Sequence, residues 1–287
     1  NCPGQVVVSG VQAACDEAKQ KGLSLVAGLC YRYDHALRET MGRVLDGAIG
    51  RIVSIQETYN CGPPWFRNKD RQPGWTEMEY QMRNWYPFTW LSGDHNVEQH
   101  VHSLDKACWL MHDEPPQRAW GMGGRQVCSE EAIGHIFDHH AVVYEYKSGV
   151  RLYSFCRRQA GCANDISDHF FGTEGHCDLM KQRIDGKKEW RYDGPKSNKY
   201  EVEHDELFKS IRNAQAKNDG PFMSLSTMLA ILGRMVTYTG QAITWDQAIN
   251  SQEDLSPAKY AWDADPPILP EANGHYPVAV PGVTKFV

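Results

Sequence analysis

The segment between residues 118 and 192 constrains the fold more than any other part of this sequence, because nearly all of it has the character of β-strands. Strands are predicted at residues 118–127, 135–146, 150–158 and 168–180, with a shorter one at 189–192. The turn Lys147-Ser148-Gly149 separates the second from the third, as in a hairpin. Because strands joined by short turns pair antiparallel, the sequence predicts a large, mainly antiparallel sheet.

Helices are predicted on both sides of this segment. Helical spacing or end signals occur at residues 9–21, 34–45, 92–111, 204–216 and 224–238, and two further strands are predicted at 23–28 and 51–59. The expected fold class is α+β, with a large, mainly antiparallel open sheet that has helices on one face and follows a short strand–helix–strand α/β layer. The uncovered face of such a sheet must meet something apolar, so we expect a homodimer or homotetramer formed through it.

The composition excludes some classes of function. The chain has 287 residues and a formal net charge of -6, which argues against anionic nucleic-acid or membrane-surface partners. No apolar run approaches the roughly 18–20 residues that span a bilayer, and the N-terminal residues do not resemble a signal peptide. Nine cysteines occur without a C-x-x-C pair, as expected of free thiols in a reducing compartment. We therefore expect a cytoplasmic protein with a small-molecule ligand.

The stretch from Asp94 to His102 is the richest in chemically active side chains. On a continuous helix Glu98 and His102 would be four residues apart and share a face, which predicts a carboxylate–imidazole pair. An imidazole with its usual pKa near 6.5 suits proton transfer at neutral pH. A metal site is a competing interpretation, and its candidate ligands are His95, Glu98, His100 and His139. Some of these histidines would equally suit hydrogen bonds inside an aromatic wall.

A long connection rich in tryptophan and proline, residues 60–89, precedes this stretch. Connections of this length are usually functional or disordered, and the density of aromatic residues favours an ordered wall of a binding site. Sugars bind by stacking on aromatic rings and by hydrogen bonds to arginine or carboxylates. The candidate substrate-binding residues are therefore Arg32, Arg83, Trp85, Tyr86, Trp90, His95 and Arg157.

Several short motifs occur in order along the chain, beginning with residues 27–33 (AGLCYRY) and residues 47–52 (GAIGRI). The first is similar to the G-x-x-x-R-(Y/F) motif of the Gfo/Idh/MocA oxidoreductases, and the second to that family's turn before the first sheet strand. Residues 101–110 (VHSLDKACWL) resemble its H-x-x-D-x-x-x-W-L helix, and residues 172–175 (GTEG) its G-(T/S)-x-G turn. Residues 240–245 and 278–282 resemble a subgroup with larger C-terminal domains.

The resemblance implies a function and roles for two residues. Members of the family have an N-terminal Rossmann domain that binds NAD or NADP, and a substrate domain built on an open sheet. Most oxidise or reduce a secondary alcohol of a sugar or polyol. By this resemblance His102 would be the general base, and Glu98 would stand where the family usually has aspartate.

Two departures from the family pattern concern the cofactor. No G-x-G-x-x-G follows a strand near the start of the chain. Cys2 and Pro3 stand where the family has Glu-Lys-Pro, so its lysine is replaced. We therefore expect residues 1–30 to be a remnant of the Rossmann domain, residues 31–287 to form the substrate and oligomerisation domain, and this chain alone to bind no nicotinamide. A Rossmann-less carbohydrate-binding or metal-dependent relative, or a non-catalytic scaffold subunit, are the alternatives.

Overall fold

The computed structural model describes residues 5–63, 70–127 and 134–287. Within these ranges a single open sheet of nine strands dominates the fold. The strands are β1 (Ile52–Cys61), β2 (Arg118–Gly124), β3 (His139–Glu145), β4 (Arg151–Arg158), β5 (Asp165–Gly172), β6 (Gly175–Asp178), β7 (Arg183–Gly186), β8 (Trp190–Arg191) and β9 (Ile243–Thr244). Their spatial order is β8-β7-β6-β5-β1-β4-β3-β2-β9.

The pairing of these strands is mixed but mainly antiparallel, as predicted. β1 lies in the interior of the sheet, where it pairs parallel with β4 and antiparallel with β5. The remaining described pairs are antiparallel. The predicted strand at 168–180 is divided into β5 and β6 by a turn at Thr173 and Glu174, at the position of the G-(T/S)-x-G motif.

Helices and short turns cover one face of the sheet. The helices are α1 (Gln5–Gln20), α2 (His35–Leu45), α3 (Glu77–Arg83), α4 (Thr89–Ser92), α5 (His95–Glu98), α6 (Val101–Leu110), α7 (Lys199–Arg212), α8 (Gly220–Thr239) and α9 (Trp245–Ile249). The turns Cys30–Tyr33 and Leu179–Lys181 are 3-10 helices. Among them α6 and α8 pack on each other and on the strands, and they bury the inner face.

The two faces of the sheet differ in exposure. Along β4, Leu152 and Cys156 point inward and are buried, whereas Tyr153 and Phe155 point outward and are each 36% exposed. This alternation follows from the pleat, which sends successive side chains to opposite faces. The outer face therefore presents aromatic side chains to solvent, while the inner face joins the core.

The predicted helix at 92–111 is wrong as a continuous element. Gly93 and Asp94 have positive φ values of 76° and 92°, which end α4 and separate it from α5. Gln99 and His100 are not helical, and they separate α5 from α6. The predicted strand at 23–28 is likewise reduced to one bridge, between Leu25 and Asn218, and Cys2 and Pro3 lie outside the described residues. None of the described helices is long and apolar enough to cross a membrane.

Candidate functional site

Tyr86 is the centre of a polar cluster on the inner side of the sheet. Its hydroxyl lies 2.9 Å from Nδ1 of His95, accepts a hydrogen bond of 3.3 Å from Nη2 of Arg158, and interacts with the Glu98 carboxylate. We call Tyr86, His95, Glu98 and Arg158 the Tyr86 cluster. Helix α5 contributes two of its members and strand β4 contributes Arg158.

Protons in the Tyr86 cluster can be assigned from hydrogen-bonding capacity. A phenol has one proton to donate, and an ionised carboxylate can only accept. When Tyr86 donates to Glu98, His95 must donate from Nδ1 to the Tyr86 oxygen, which leaves Nε2 of His95 as an acceptor. That Nε2 atom and Oε2 of Glu98 are buried without a hydrogen-bond partner. The cluster therefore has two unused acceptor atoms.

Burial sets the protonation behaviour of this cluster. It raises the pKa of Glu98 above its usual value, although hydrogen bonding to Tyr86 and the charge of Arg158 oppose the shift. Burial and the charge of Arg158 also lower the pKa of His95 well below its usual value, so that this imidazole is uncharged at neutral pH. The cluster thus combines a neutral imidazole with a carboxylate that is less acidic than in water.

A network around Asp94 fixes the helix that carries His95 and Glu98. The Asp94 side chain accepts a hydrogen bond from the Asn96 backbone and so caps α5. Its oxygens also contact Nε2 of His140 at 3.0 Å, the Phe137 backbone nitrogen at 3.2 Å, and the Tyr238 hydroxyl. These contacts hold Asp94 in a conformation that non-glycine residues rarely adopt.

His102, in the first turn of α6, belongs to a second group. Its ring meets the Tyr31 ring edge-on, with 5.6 Å between centroids, and its Nδ1 atom is buried without a hydrogen-bond partner. Burial, with smaller effects from Lys106 and Lys199, lowers the pKa of His102 to about 4. Lys106 lies one turn further along α6 and forms a buried ion pair with Asp168.

The predicted Glu98–His102 pair on one helix face is therefore wrong in its geometry. The interruption at Gln99 and His100 places Glu98 with Tyr86 and His102 with Tyr31. Tyr59, on the inner side of β1, connects the two groups, because its ring lies 6.0 Å from that of His95 and interacts electrostatically with both Tyr31 and Arg158. Both predicted residues belong to one extended polar region, but through different neighbours.

Structural comparisons place this geometry among known folds. No protein-family model and no curated protein matches the sequence. Three solved structures are similar at 17% identity each. A probable dehydrogenase from Thermotoga maritima has a TM-score of 0.62, and the match covers 84% of this chain and 71% of that one; for an aldose-aldose oxidoreductase from Caulobacter crescentus complexed with glycerol the TM-score is 0.60, with 83% of this chain and 68% of that one covered. For a myo-inositol dehydrogenase from Corynebacterium glutamicum the TM-score is 0.55, with 83% of this chain and 69% of that one covered.

The chain has the fold of the Gfo/Idh/MocA oxidoreductases. The order of the sequence motifs predicts this fold, and the structural likeness confirms it at identities too low for whole-sequence similarity to reveal. The motif helix with His102 is α6, and the motif turn at 172–175 joins β5 to β6.

Members of this fold bind a dinucleotide through a glycine-rich turn between a strand and a helix. The described residues do not fit that requirement. Gly121, Gly123 and Gly124 lie within β2, where they pair with β3, and no helix follows them directly. Within the described residues, the glycines of β2 therefore do not form such a turn.

Two of the predicted substrate-binding arginines have structural partners. Nε of Arg32 lies 3.0 Å from each carboxylate oxygen of Asp105 on α6, and its guanidinium stacks on Phe222 at 4.0 Å. Arg83 lies on α3, half exposed, where it pairs with Glu79 and contacts a tryptophan ring. Arg32 therefore stabilises α6 through its ion pair with Asp105, whereas Arg83 lies at the surface.

The predicted aromatic wall is divided between two places. Trp85 is 40% exposed and its ring lies against Tyr86, with 5.3 Å between centroids. Trp90 instead joins a second apolar cluster with Met78, Phe88 and others, and its indole nitrogen donates to Oε1 of Gln81 at 2.7 Å. Of the tryptophans predicted to line the site, Trp85 alone contacts the Tyr86 cluster.

The sequence selects Arg157 as a substrate-binding candidate, but the structure brings its neighbour Arg158 to the Tyr86 cluster. Arg157 follows Phe155 on the outer face of β4, where its Nη2 donates to the Ala163 carbonyl at 2.6 Å. Arg158 points inward with Cys156 and reaches Tyr86. The alternation of buried residues along β4 is the signal that selects Arg158, since it continues the inward series of Leu152 and Cys156.

The metal candidates do not converge. His100 contacts the Ser154 hydroxyl at 2.7 Å, and His139, the first residue of β3, contacts Asp138. In the described ranges, no group of three or more histidine, cysteine, aspartate or glutamate side chains has a metal-binding arrangement. Tyr31, Tyr59 and Asp168 belong to the region but were missed, because each reaches it through contacts between elements distant in sequence. Lys106 was also missed, although it lies one turn after His102 on α6.

Proposed function

We propose that this chain is the substrate-binding part of a Gfo/Idh/MocA-type oxidoreductase that acts on a secondary alcohol of a sugar or polyol. One observation carries the proposal: Nε2 of His95, Oε2 of Glu98 and Nδ1 of His102 are buried in one region without partners. Buried polar atoms are rarely left without hydrogen bonds in folded proteins. A ligand with several hydroxyl groups would supply the missing donors.

The chemistry of alcohol oxidation suits these groups. Conversion of a secondary alcohol to a ketone removes a hydride from carbon and a proton from oxygen. His102 is uncharged at neutral pH, so it can accept the hydroxyl proton. Glu98 can accept a hydrogen bond from a neighbouring hydroxyl, and Tyr86 and Arg158 hold that carboxylate in place.

The hydride acceptor expected for this fold is NAD or NADP. Similar structures include GenD2 in complex with NAD. The described residues of this chain lack the turn that would hold the pyrophosphate, so the nicotinamide would be held by groups outside them. In this proposal residues 1–30 belong to the cofactor-binding layer and residues 31–287 to the substrate domain. The metal-dependent and scaffold alternatives have no comparable support.

The outer face of the sheet supports a proposal about assembly. Met122, Tyr153, Phe155 and Phe171 are exposed there, and exposed apolar patches of this kind mark contact surfaces. We propose that two or four copies of the chain associate through this face. Light scattering on the wild-type protein and on Phe155→Glu tests it: the variant should have a smaller mass, and an unchanged mass would contradict the proposal.

Calorimetric titration with a panel of polyols, including myo-inositol and D-glucitol, tests the proposed site. We expect His102→Gln and Glu98→Gln each to weaken binding by about tenfold, because each removes a hydrogen bond to a buried acceptor. His139→Gln is the matched control, since His139 is 37% exposed and its ring contacts Asp138 instead of a member of the Tyr86 cluster. Equal affinities for wild type, His102→Gln and Glu98→Gln would refute the proposed site.

A further inference from the structure

The imidazole of His102 lies among positive charges. The Lys106 ammonium is 4.3 Å from the centroid of the Tyr31 ring, and the Lys199 ammonium, at the start of α7, is 4.9 Å from the same centroid. Tyr31 in turn meets His102 edge-on. Two ammonium groups and one imidazole therefore share a single aromatic ring.

The two lysines differ in how their charges are balanced. Lys106 is 1% exposed and pairs with the buried carboxylate of Asp168. Glu57 lies beside that pair, and burial, then the charge of Asp168, raise its pKa well above the usual range, so its carboxyl group is less acidic than in water. In the part of the chain that the structure describes, no acidic side chain forms an ion pair with Lys199, which contacts the rings of Tyr31 and Tyr200.

The excess positive charge is local. The whole chain carries a net charge of -6, so the composition does not account for it. Arg158, on the other side of Tyr59, contacts Tyr86 and Cys61, and the Glu98 carboxylate lies close enough to interact with its charge. The ammonium of Lys199, without an acidic partner among the described residues and next to the uncharged His102, suits an anionic ligand.

We propose that the substrate is an anionic polyol, a sugar acid, and that Lys199 binds its carboxylate beside His102. This inference rests on the proposed function and narrows its substrate class. It also accounts for a difficulty in that function, because an imidazole with a pKa of about 4 is a poor proton acceptor at neutral pH. A bound carboxylate would offset the charge of Lys199 and raise the pKa of His102, so that the base becomes effective when this substrate is present.

Matched pairs of ligands test the charge requirement. D-gluconate and D-glucitol share a carbon chain and differ at the carboxylate, as do D-galactonate and D-galactitol. Calorimetry on the full chain should show at least one acid binding about tenfold more tightly than its alcohol, as expected of a charge-assisted hydrogen bond. Lys199→Met should abolish this preference. Lys147→Met, in the exposed turn between β3 and β4, is the matched control and should retain it.

A second measurement follows His102 directly. Its ring resonances, assigned by comparison with His102→Gln, should give a pKa that rises when D-gluconate is added to wild type and stays constant in Lys199→Met. Equal binding of acid and alcohol, or an acid preference that survives in Lys199→Met, would overturn the inference. The proposed function would stand in that case, provided that His102→Gln and Glu98→Gln still weaken polyol binding. Absence of binding by these four ligands and by the whole polyol panel would overturn both.

Discussion

Asp94 and Glu98 lie four residues apart, yet their surroundings differ in a way that separates support from function. Asp94 is fully buried, and its carboxylate contacts His140, Tyr238 and two backbone nitrogens. Glu98 contacts Tyr86 and retains a buried oxygen without a partner, as His102 retains a ring nitrogen. A satisfied network fixes the backbone, whereas unused capacity indicates a place for a ligand. The comparison can be tested by removing groups of each kind.

The largest effect is expected at Asp94. Asp94→Ala should lower the free energy of unfolding by about 4 kcal/mol, because it removes a cap and leaves His140, Tyr238 and the Phe137 backbone without their shared partner. Urea denaturation measures this change. Glu98→Gln is the control and should change stability by less than about 1 kcal/mol. A similar loss of stability in Asp94→Ala and Glu98→Gln would show that the two carboxylates do not differ in their structural role.

The next largest effect is expected at Lys106. Lys106→Met should lower the free energy of unfolding by about 3 kcal/mol, since it leaves the Asp168 charge buried and unpaired next to Glu57. The double variant Lys106→Met/Asp168→Leu should recover part of the loss, because it removes both charges. If the double variant is as unstable as the single one, the charge pair is not the cause.

A smaller effect is expected from pH. The folded-state pKa of His102, about 4, lies below its unfolded value of about 6.5, so the unfolded chain binds more protons between these values. Stability should therefore fall as the pH falls from 7 to 5, and His102 should account for up to about 2 kcal/mol of that loss. Urea denaturation of His102→Gln at both pH values should show a shallower dependence. If stability falls equally with pH in wild type and in His102→Gln, the pKa of His102 is not lowered in the folded state.

The smallest effect is expected at Arg83. Arg83→Gln removes an exposed pair with Glu79, and such pairs contribute about 0.5 kcal/mol or less. We expect almost no change in stability and none in polyol affinity. Loss of polyol binding in Arg83→Gln would show that Arg83 belongs to the binding site, contrary to its position in the structure.

The sequence predicts the fold better than the site. The strands between residues 118 and 192, and the order of the family motifs, depend on local periodicity and turn residues, and both survive in the structure. The pairing of Glu98 with His102 depends on an unbroken helix, and positive φ at Gly93 and Asp94 already shows that this stretch is shaped by tertiary contacts. Those contacts come from β3 and α8, far along the chain.

The sequence by itself determines which side chains are chemically capable and on which face of a strand they lie. Alternation along β4 separates Arg157 from Arg158, although it does not say which face is covered. Only the tertiary structure decides that α6 and α8 cover the inner face, that Trp90 enters an apolar cluster, and that two lysines meet at Tyr31. The physical reason is that periodicity is a property of one element, whereas burial and charge balance arise from contacts between elements.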